Sequence, residues 1–137
     1  AKAEKGFEVV AREDTNGTFD SALEAAKKIL NEQPDITAIM CGNDQMAVAA
    51  KTALNLAGND QTVVYSIDGS PDIKKELKKA DGQIAGIVAQ SPVNIGKKAV
   101  DIALDILDGK DFEKETSVDV FMINKENVEM YGADGWQ

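Results

Sequence analysis

The feature that most constrains this chain is a repeated alternation between short apolar runs and longer segments of helical period. Such alternation through short connections is typical of βαβ units, whose right-handed crossovers place successive strands side by side and parallel. Strands that are apolar on both faces agree with this, because parallel strands are usually covered by helices on either side. The sequence therefore predicts an α/β fold with a parallel sheet flanked by helices. The predicted strands are 7–11, 36–41, 62–67, 84–89 and 118–123.

The predicted helices have recognisable ends. The first spans 19–33 and stops at Pro34, and the second follows Asp44 and stops at Gly58, a residue type that favours helix termination. Ser-Pro pairs, which combine an N-cap with a first helical residue, begin the third helix at 70–71 and the fourth at 91–92. We expect the third helix to end near Asp81 and the fourth at Gly109.

Composition excludes several kinds of chemistry. The chain has no histidine and a single cysteine, Cys41, so it lacks Ser-His-Asp triads, Cys-His pairs, disulfides and the usual zinc ligand sets. It also lacks glycine-rich phosphate-binding motifs, and no spacing of carboxylates identifies an acid-base pair. We therefore expect a binding module without metal or cofactor rather than an enzyme, with Cys41 as a small buried hydrophobic residue.

Charge also bears on the partner. The 137 residues carry 15 Lys and Arg against 24 Asp and Glu, a formal net charge of −9, and nucleic acid is therefore not an expected partner. The lysines at 74, 75, 78 and 79 are interpreted as a solvated helix face rather than a binding patch.

Polar side chains that can bind hydroxyl groups follow three of the predicted strands. Asn43, Asp68 and Gln90 each stand where a strand ends, and ligands of open parallel sheets bind outside these carboxyl ends. A carboxylate accepts two hydrogen bonds at once, and a planar amide donates one while accepting another. The pattern indicates a site for a polyol or sugar.

Structural roles compete with this interpretation. Asn43 fits a helix cap, and Asp68 with Gly69 fits a turn, whereas Gln90 has no capping role that Ser91 does not already fill. Phe19, at the start of the first helix, would either stack on a ligand ring or pack against its own helix start.

At these residues the sequence resembles the type I periplasmic sugar-binding proteins, the ribose- and galactose-binding group that serves ABC transporters. The resemblance covers essentially the whole chain and implies a three-layer, Rossmann-like lobe. By resemblance, Asn43, Asp68 and Gln90 correspond to residues that hydrogen-bond sugar hydroxyls. The first helix departs from the family because it offers Phe19 without the expected arginine. The most specific stretches are QPDI (33–36), AIMCGNDQMA (38–47), IDGSP (67–71) and IVAQSP (87–92).

The resemblance also implies a domain organisation. Family members have two lobes, and this chain resembles only the C-terminal half. Residues 1–91 would form the C-terminal lobe, incomplete at its start. Residues 92–117 would pack on a missing N-terminal lobe, and residues 118–137 would return to the C-terminal lobe and end in a tail. The expected chain is thus a fragment, a nicked product or half of a split receptor.

The implied function is sugar binding between two lobes, followed by docking on an ABC permease in the membrane. The implied location is periplasmic, or extracellular and lipid-anchored. The alternative is the effector-binding core of a LacI-type transcriptional regulator, for which an N-terminal helix-turn-helix would decide; none lies in these residues. An α/β enzyme is a third interpretation, which the absence of histidine and of glycine-rich phosphate-binding motifs disfavours.

Overall fold

The computed structural model describes residues 6–80 and 82–136. Within these ranges the chain alternates between helix and strand, as the sequence predicts. The elements are α1 (Phe19–Glu32), β1 (Ala38–Met40), α2 (Asp44–Ala57), β2 (Val63–Asp68), α3 (Pro71–Leu77), β3 (Ile84–Ala89), α4 (Pro92–Leu107), β4 (Phe121–Asn124) and α5 (Val128–Tyr131).

The four strands form one sheet in the order β1-β2-β3-β4. The first three are parallel, with Met40 beside Tyr65 and Asp68 beside Ala89. β4 is antiparallel to β3, and Phe121 at its start pairs with Ala89 at the end of β3. This corrects the prediction of an all-parallel sheet. The reason is that α4 does not cross back over the sheet, since none of its residues is buried, and the chain re-enters at the carboxyl end of β3.

The predicted strand at 7–11 is wrong. The segment is not part of the sheet, and its apolar side chains are exposed, Phe7 by 74%. The described sheet ends at β1, whose strand pairing is with β2 alone. A stable strand needs a neighbouring strand to pair with its backbone N–H and C=O groups, and no described strand lies beside this segment.

The core lies between the sheet and the helices that flank it. α1 packs against α2, while α2 packs on β2, α3 on β3 and α5 on β4. Small alanines along α2 allow this close approach, and branched residues of the strands fill the remaining space. The fully buried members include Ala47, Leu54, Val64, Ile73, Leu77, Ile84, Ile87 and Ile123.

The helix ends confirm the local predictions. Ser70 and Ser91 accept hydrogen bonds from the backbone N–H groups of Ile73 and Asn94, with proline at the first helical position of α3 and α4. Gly58 ends α2 in the left-handed conformation, with φ of 65°. α3 ends earlier than expected, at Leu77, and Asp81 lies outside the described residues. The short helix α5 was not predicted.

α4 and the connector that follows it stand away from the core. The helix is strongly amphipathic by sequence, yet most of its apolar side chains are exposed, with Leu107 at 82%. None of the described residues covers this face. No helix in the described part of the chain is both long and apolar enough to traverse a bilayer.

Candidate ligand-binding site

Asp68 and Gln90 meet where β2 and β3 end. The backbone N–H of Gln90 donates to the carbonyl oxygen of Asp68 at 2.9 Å, which extends the strand pairing by one step. The side-chain nitrogen of Gln90 then donates to Oδ1 of Asp68 at 3.0 Å. Both side chains are partly buried. The pair therefore presents one fixed edge of hydrogen-bonding atoms at the carboxyl end of the sheet.

The backbone at this point is strained. Asp68 has φ of +120°, a conformation that residues with a side chain rarely adopt. Gly69 follows with φ of +88°, and a Cβ placed there would lie 2.7 Å from the Cβ of Ala89. Strain of this kind persists only where the surroundings hold it, and it concentrates at binding and active sites.

Asp44 supplies much of that support, although it was not predicted from the sequence as a site residue. Its buried carboxylate accepts from the hydroxyl of Ser66 and, at 2.7 Å, from the backbone N–H of Ser70. These bonds connect the start of α2 to the end of β2 and to the loop that follows it. The only sequence signal was its position after Gly42 and Asn43, which a turn explains equally well.

The environment raises the pKa of Asp68 above its ordinary value of 3.8. Burial is the largest cause, and the neighbouring charge of Asp44 acts in the same direction. The backbone N–H of Asp44 and the side chain of Gln90 oppose the shift, because they donate to the ionised carboxylate.

Asn43 has both ends of its amide engaged within the chain. Its Oδ1 accepts from the backbone N–H of Met46 at 2.8 Å, which caps α2. Its Nδ2 donates to the carbonyl oxygen of Gly17 at 2.9 Å, which fixes the loop before α1. The amide nitrogen has two N–H groups, so one remains for a ligand.

Phe19 begins α1, two residues after the carbonyl that Asn43 holds, and is partly buried. The structure thus brings Asn43, Asp68 and Gln90 to one edge of the sheet through Asp44, and places Phe19 beyond the Gly17 loop. Among the described residues, no hydrogen bond or ring contact joins Phe19 to the other three.

An open groove of about 510 Å³ lies over this edge. It includes Asp68 and Gln90 but neither Asn43 nor Phe19. Trp136, near the C-terminus, also lines the groove. It was not predicted from the sequence, because an isolated tryptophan in a polar tail carries no periodicity that would place it. The lining residues are Asp68, Gln90, Pro92, Val93, Ile95 and Trp136.

The groove offers hydrogen bonds and apolar contact rather than reactive groups. Cys41 is buried as expected, and burial raises the pKa of its thiol to about 11, which suppresses the nucleophilic thiolate. The described residues contain no cluster of His, Cys, Asp or Glu that could hold a metal ion.

Comparison with protein families decides the classification. A family model described as a periplasmic binding protein domain matches residues 1–111. The chain belongs to this family. The resemblance noted in the sequence and the α/β fold class are both confirmed.

Two ribose import binding proteins align over most of the chain. It is 33% identical over 126 residues to the ribose import binding protein of Salmonella typhimurium, and 35% identical over 115 residues to that of Bacillus subtilis. The alignments cover 92% and 84% of this chain, but only 42% and 37% of those relatives. The chain spans about two fifths of the length of these relatives.

Solved structures agree. A periplasmic solute-binding protein from Actinobacillus succinogenes with bound D-allose superposes with a TM-score of 0.84 at 27% identity, over 90% of this chain and 44% of that one. A solute-binding protein from Bacillus halodurans with bound myo-inositol gives 0.82 at 28% identity, over 93% and 44%. Both solved structures are solute-binding proteins of ABC transporters, so the LacI-type alternative is not favoured.

Proposed function

We propose that this chain supplies one lobe of a solute-binding protein that delivers a small polyhydroxylated ligand to an ABC importer. The observation that carries the proposal is the hydrogen-bonded Asp68–Gln90 pair, which stands at the carboxyl edge of the sheet in an open groove. The named relatives bind ribose, D-allose or myo-inositol, compounds that share a ring bearing several hydroxyl groups.

Each polar residue has a distinct role in this proposal. Asp68 accepts hydrogen bonds from two neighbouring hydroxyls, since a carboxylate has more acceptor sites than Gln90 occupies. The amide oxygen of Gln90 accepts another hydroxyl, and the free N–H of Asn43 donates to a ligand oxygen. Phe19 offers an aromatic surface at the start of α1. The protein binds and releases its ligand unchanged, because none of these groups is placed as a nucleophile beside a base.

A second lobe completes the site. Three observations support this: the groove is open, α4 exposes an apolar face, and the chain spans about two fifths of its relatives. Residues 92–117 would pack on that lobe, while residues 1–91 and 118–137 would together form the C-terminal lobe. Closure of the two lobes would remove the ligand from water and strengthen its hydrogen bonds.

The partner and location follow from the same proposal. The protein would dock on a membrane permease once closed around its ligand. It would reside in the periplasm, in line with the family, or on the outer surface of the cell through a lipid anchor.

Calorimetry and thermal shift against pentoses, hexoses and inositols test the function. The experiment uses the protein at its natural full length, with Asp68→Ala as the site variant and Asp72→Ala, an exposed carboxylate on α3, as the matched control. A sugar that raises the melting temperature of the wild type and the control, but not of Asp68→Ala, is the expected result. If no compound in the panel raises the melting temperature of the wild type or gives a heat of binding, the proposal is overturned.

The 137-residue chain alone is the second sample. It presents only one wall of the cleft, so we expect its sugar binding to be weak or undetectable, because few contacts oppose the entropy lost on association. Chromatography of the sugars after incubation is expected to show no turnover, and any product would revive the enzyme interpretation.

A further inference from the structure

The C-terminal segment, defined here as residues 132–136, reaches back to the candidate site. It follows α5 and ends with Trp136, whose side chain lines the groove together with Asp68 and Gln90. Trp136 is 49% exposed, so a large part of its indole remains open to the groove and solvent. An exposed tryptophan next to polar groups is a common arrangement in binding sites, because the ring combines apolar area with one N–H donor.

Lys74 anchors the C-terminal segment through a hydrogen bond. The side chain of Lys74, on α3, is fully buried, and its ammonium group donates to the carbonyl oxygen of Gly135. The carboxylates of Asp134 and Asp44 lie near the ammonium and favour its charge, while burial disfavours it. A buried lysine is costly unless it is paired, so the partner carbonyl and the two carboxylates explain why it is tolerated.

Further contacts fix the chain leading to the segment. Lys78, the residue that follows α3 and lies one turn after Lys74, pairs with Glu129 at 2.8 Å. Val128 is buried, and the rings of Tyr131 and Phe121 stack with centroids 4.9 Å apart. The tail is thus attached to α3 and β4 at successive points, and Trp136 occupies a defined place.

We propose that Trp136 is a ligand-contacting residue of this site, and that Lys74 is the positioning residue that holds it there through Gly135. The proposal rests on the function proposed above. The ligand class becomes narrower: a cyclic polyol with one apolar C–H face, such as a pyranose or an inositol, rather than a linear polyol.

The composition of the groove supports this ligand. Asp68 and Gln90 supply the polar wall, and the indole of Trp136 supplies an apolar one. A pyranose has the same division, with hydroxyls around its edge and C–H groups on its faces. Hydroxyls would meet the carboxylate and amide, while a C–H face would lie on the indole.

Trp136→Ala, Trp136→Phe and Met130→Ala in the full-length protein test the contact by calorimetry with the sugar that the wild type binds. Loss of the indole is expected to raise Kd about tenfold, in keeping with the size of aromatic contacts, whereas Phe retains most of the stacking and stays within about threefold. Met130 is 84% exposed on α5 and lies outside the groove lining, so its variant controls for changes in the C-terminal region.

Fluorescence gives an independent measurement. Trp136 is the single tryptophan of this sequence, and subtracting the spectrum of Trp136→Phe isolates its emission from any other in the full-length protein. Sugar binding is expected to change the intensity or wavelength of that difference spectrum. A difference spectrum whose intensity and wavelength are unchanged when the sugar binds would contradict the contact.

The positioning role of Lys74 is tested by a double-mutant cycle. Lys74→Met keeps the length of the side chain and removes the charge and the donor. It is expected to raise Kd by about threefold in the wild type, but by much less in the Trp136→Ala background, because the two residues act through one contact. Equal effects in both backgrounds would mean that Lys74 serves stability alone and would overturn its positioning role. Should Lys74→Met not fold, the Trp136 variants still decide the contact.

The outcomes separate the two proposals. If no sugar binds the wild type, the proposed function fails and the role of Trp136 fails with it. If a sugar binds, Asp68→Ala abolishes binding and Trp136→Ala leaves Kd within twofold, the function stands and the contact is overturned. A linear polyol that binds as tightly as its cyclic counterpart would overturn the narrower ligand class.

Discussion

The side-chain nitrogen of Gln90 donates a 3.0 Å hydrogen bond to Oδ1 of Asp68, and this bond joins the carboxyl ends of two neighbouring parallel strands. It orients both side chains before any ligand arrives. A pair that is already oriented loses less conformational entropy on binding, which is how a few polar groups achieve useful affinity. A second glutamine, Gln83, stands at the opposite end of β3, immediately before the strand begins.

The two glutamines are expected to respond differently to loss of the amide. Gln83 donates to the carbonyl oxygens of Asn59 and Thr62, both at 2.9 Å, so Gln83→Leu should lower the free energy of unfolding by about 1–2 kcal/mol and leave sugar affinity unchanged. Gln90→Leu should weaken sugar binding by about tenfold or more with a smaller effect on stability. Calorimetry and urea unfolding of both variants provide the comparison, and equal losses of affinity would contradict a special role for Gln90.

Backbone strain at Asp68 makes a prediction about stability. Asp68→Gly and Asp68→Ala both remove the carboxylate, but only glycine adopts φ of +120° without strain. We expect the glycine variant to be more stable than the alanine variant by about 1 kcal/mol, while neither binds sugar. Urea unfolding measures the difference. Asp72, in the first turn of α3, is the control position, where alanine should instead be the more stable. An alanine variant at 68 as stable as the glycine variant would show that the strain is relieved elsewhere.

The raised pKa of Asp68 predicts a pH dependence. The folded protein holds the proton more tightly than the unfolded chain, because burial and the charge of Asp44 disfavour the carboxylate. The contribution of Asp68 to stability is therefore fully present below the ordinary value of 3.8 and decreases as pH rises through the folded pKa. Urea unfolding of the ligand-free wild type and Asp68→Asn across this range should show the difference, since residue 68 of the asparagine variant does not titrate. A difference in the free energy of unfolding between wild type and variant that is independent of pH would refute the shift.

Sugar affinity should have the opposite pH dependence. It should fall on acidification, because protonation of Asp68 removes a hydrogen-bond acceptor.

Local chemistry explains which parts of the fold were predictable. The Ser-Pro starts at Ser70 and Ser91 and the glycine at the end of α2 act through neighbouring residues, so the sequence alone locates them. The direction of β4 was not predictable in this way. It depends on whether α4 folds back over the sheet, and an apolar helix face does not reveal which surface it will cover.

The residues of the candidate site were likewise predictable only where local sequence determines their position. Asp68 and Gln90 were identified because parallel strands end at one edge, a property of the sheet that periodicity implies. Trp136 and Asp44 were missed because their roles arise from contacts over long sequence separations, from Asp44 to Ser70 and from Lys74 to Gly135. Lys74 shows the limit most clearly, since four lysines in six residues indicate a solvated face, yet this one is fully buried.

Asn43 is the residue at which structural and binding roles overlap, and two variants separate them. Asn43→Asp keeps the oxygen that caps α2 but loses the donor to the carbonyl of Gly17, whereas Asn43→Ala loses both. The free energy of unfolding should therefore decrease in the order Asn, Asp, Ala. Loss of the cap in the alanine variant should account for about 1 kcal/mol.

Sugar affinity completes the test of Asn43. If its free N–H reaches the ligand, Asn43→Asp should weaken binding by more than tenfold, because a carboxylate cannot donate and would face a ligand oxygen as an unpaired charge. Ser70→Ala is the matched control, since it removes the cap of α3 without touching the hydroxyl-binding edge. We expect the control to lower the melting temperature while calorimetry gives the wild-type Kd. Wild-type affinity in Asn43→Asp would assign Asn43 to structure alone and leave the hydroxyls to Asp68 and Gln90.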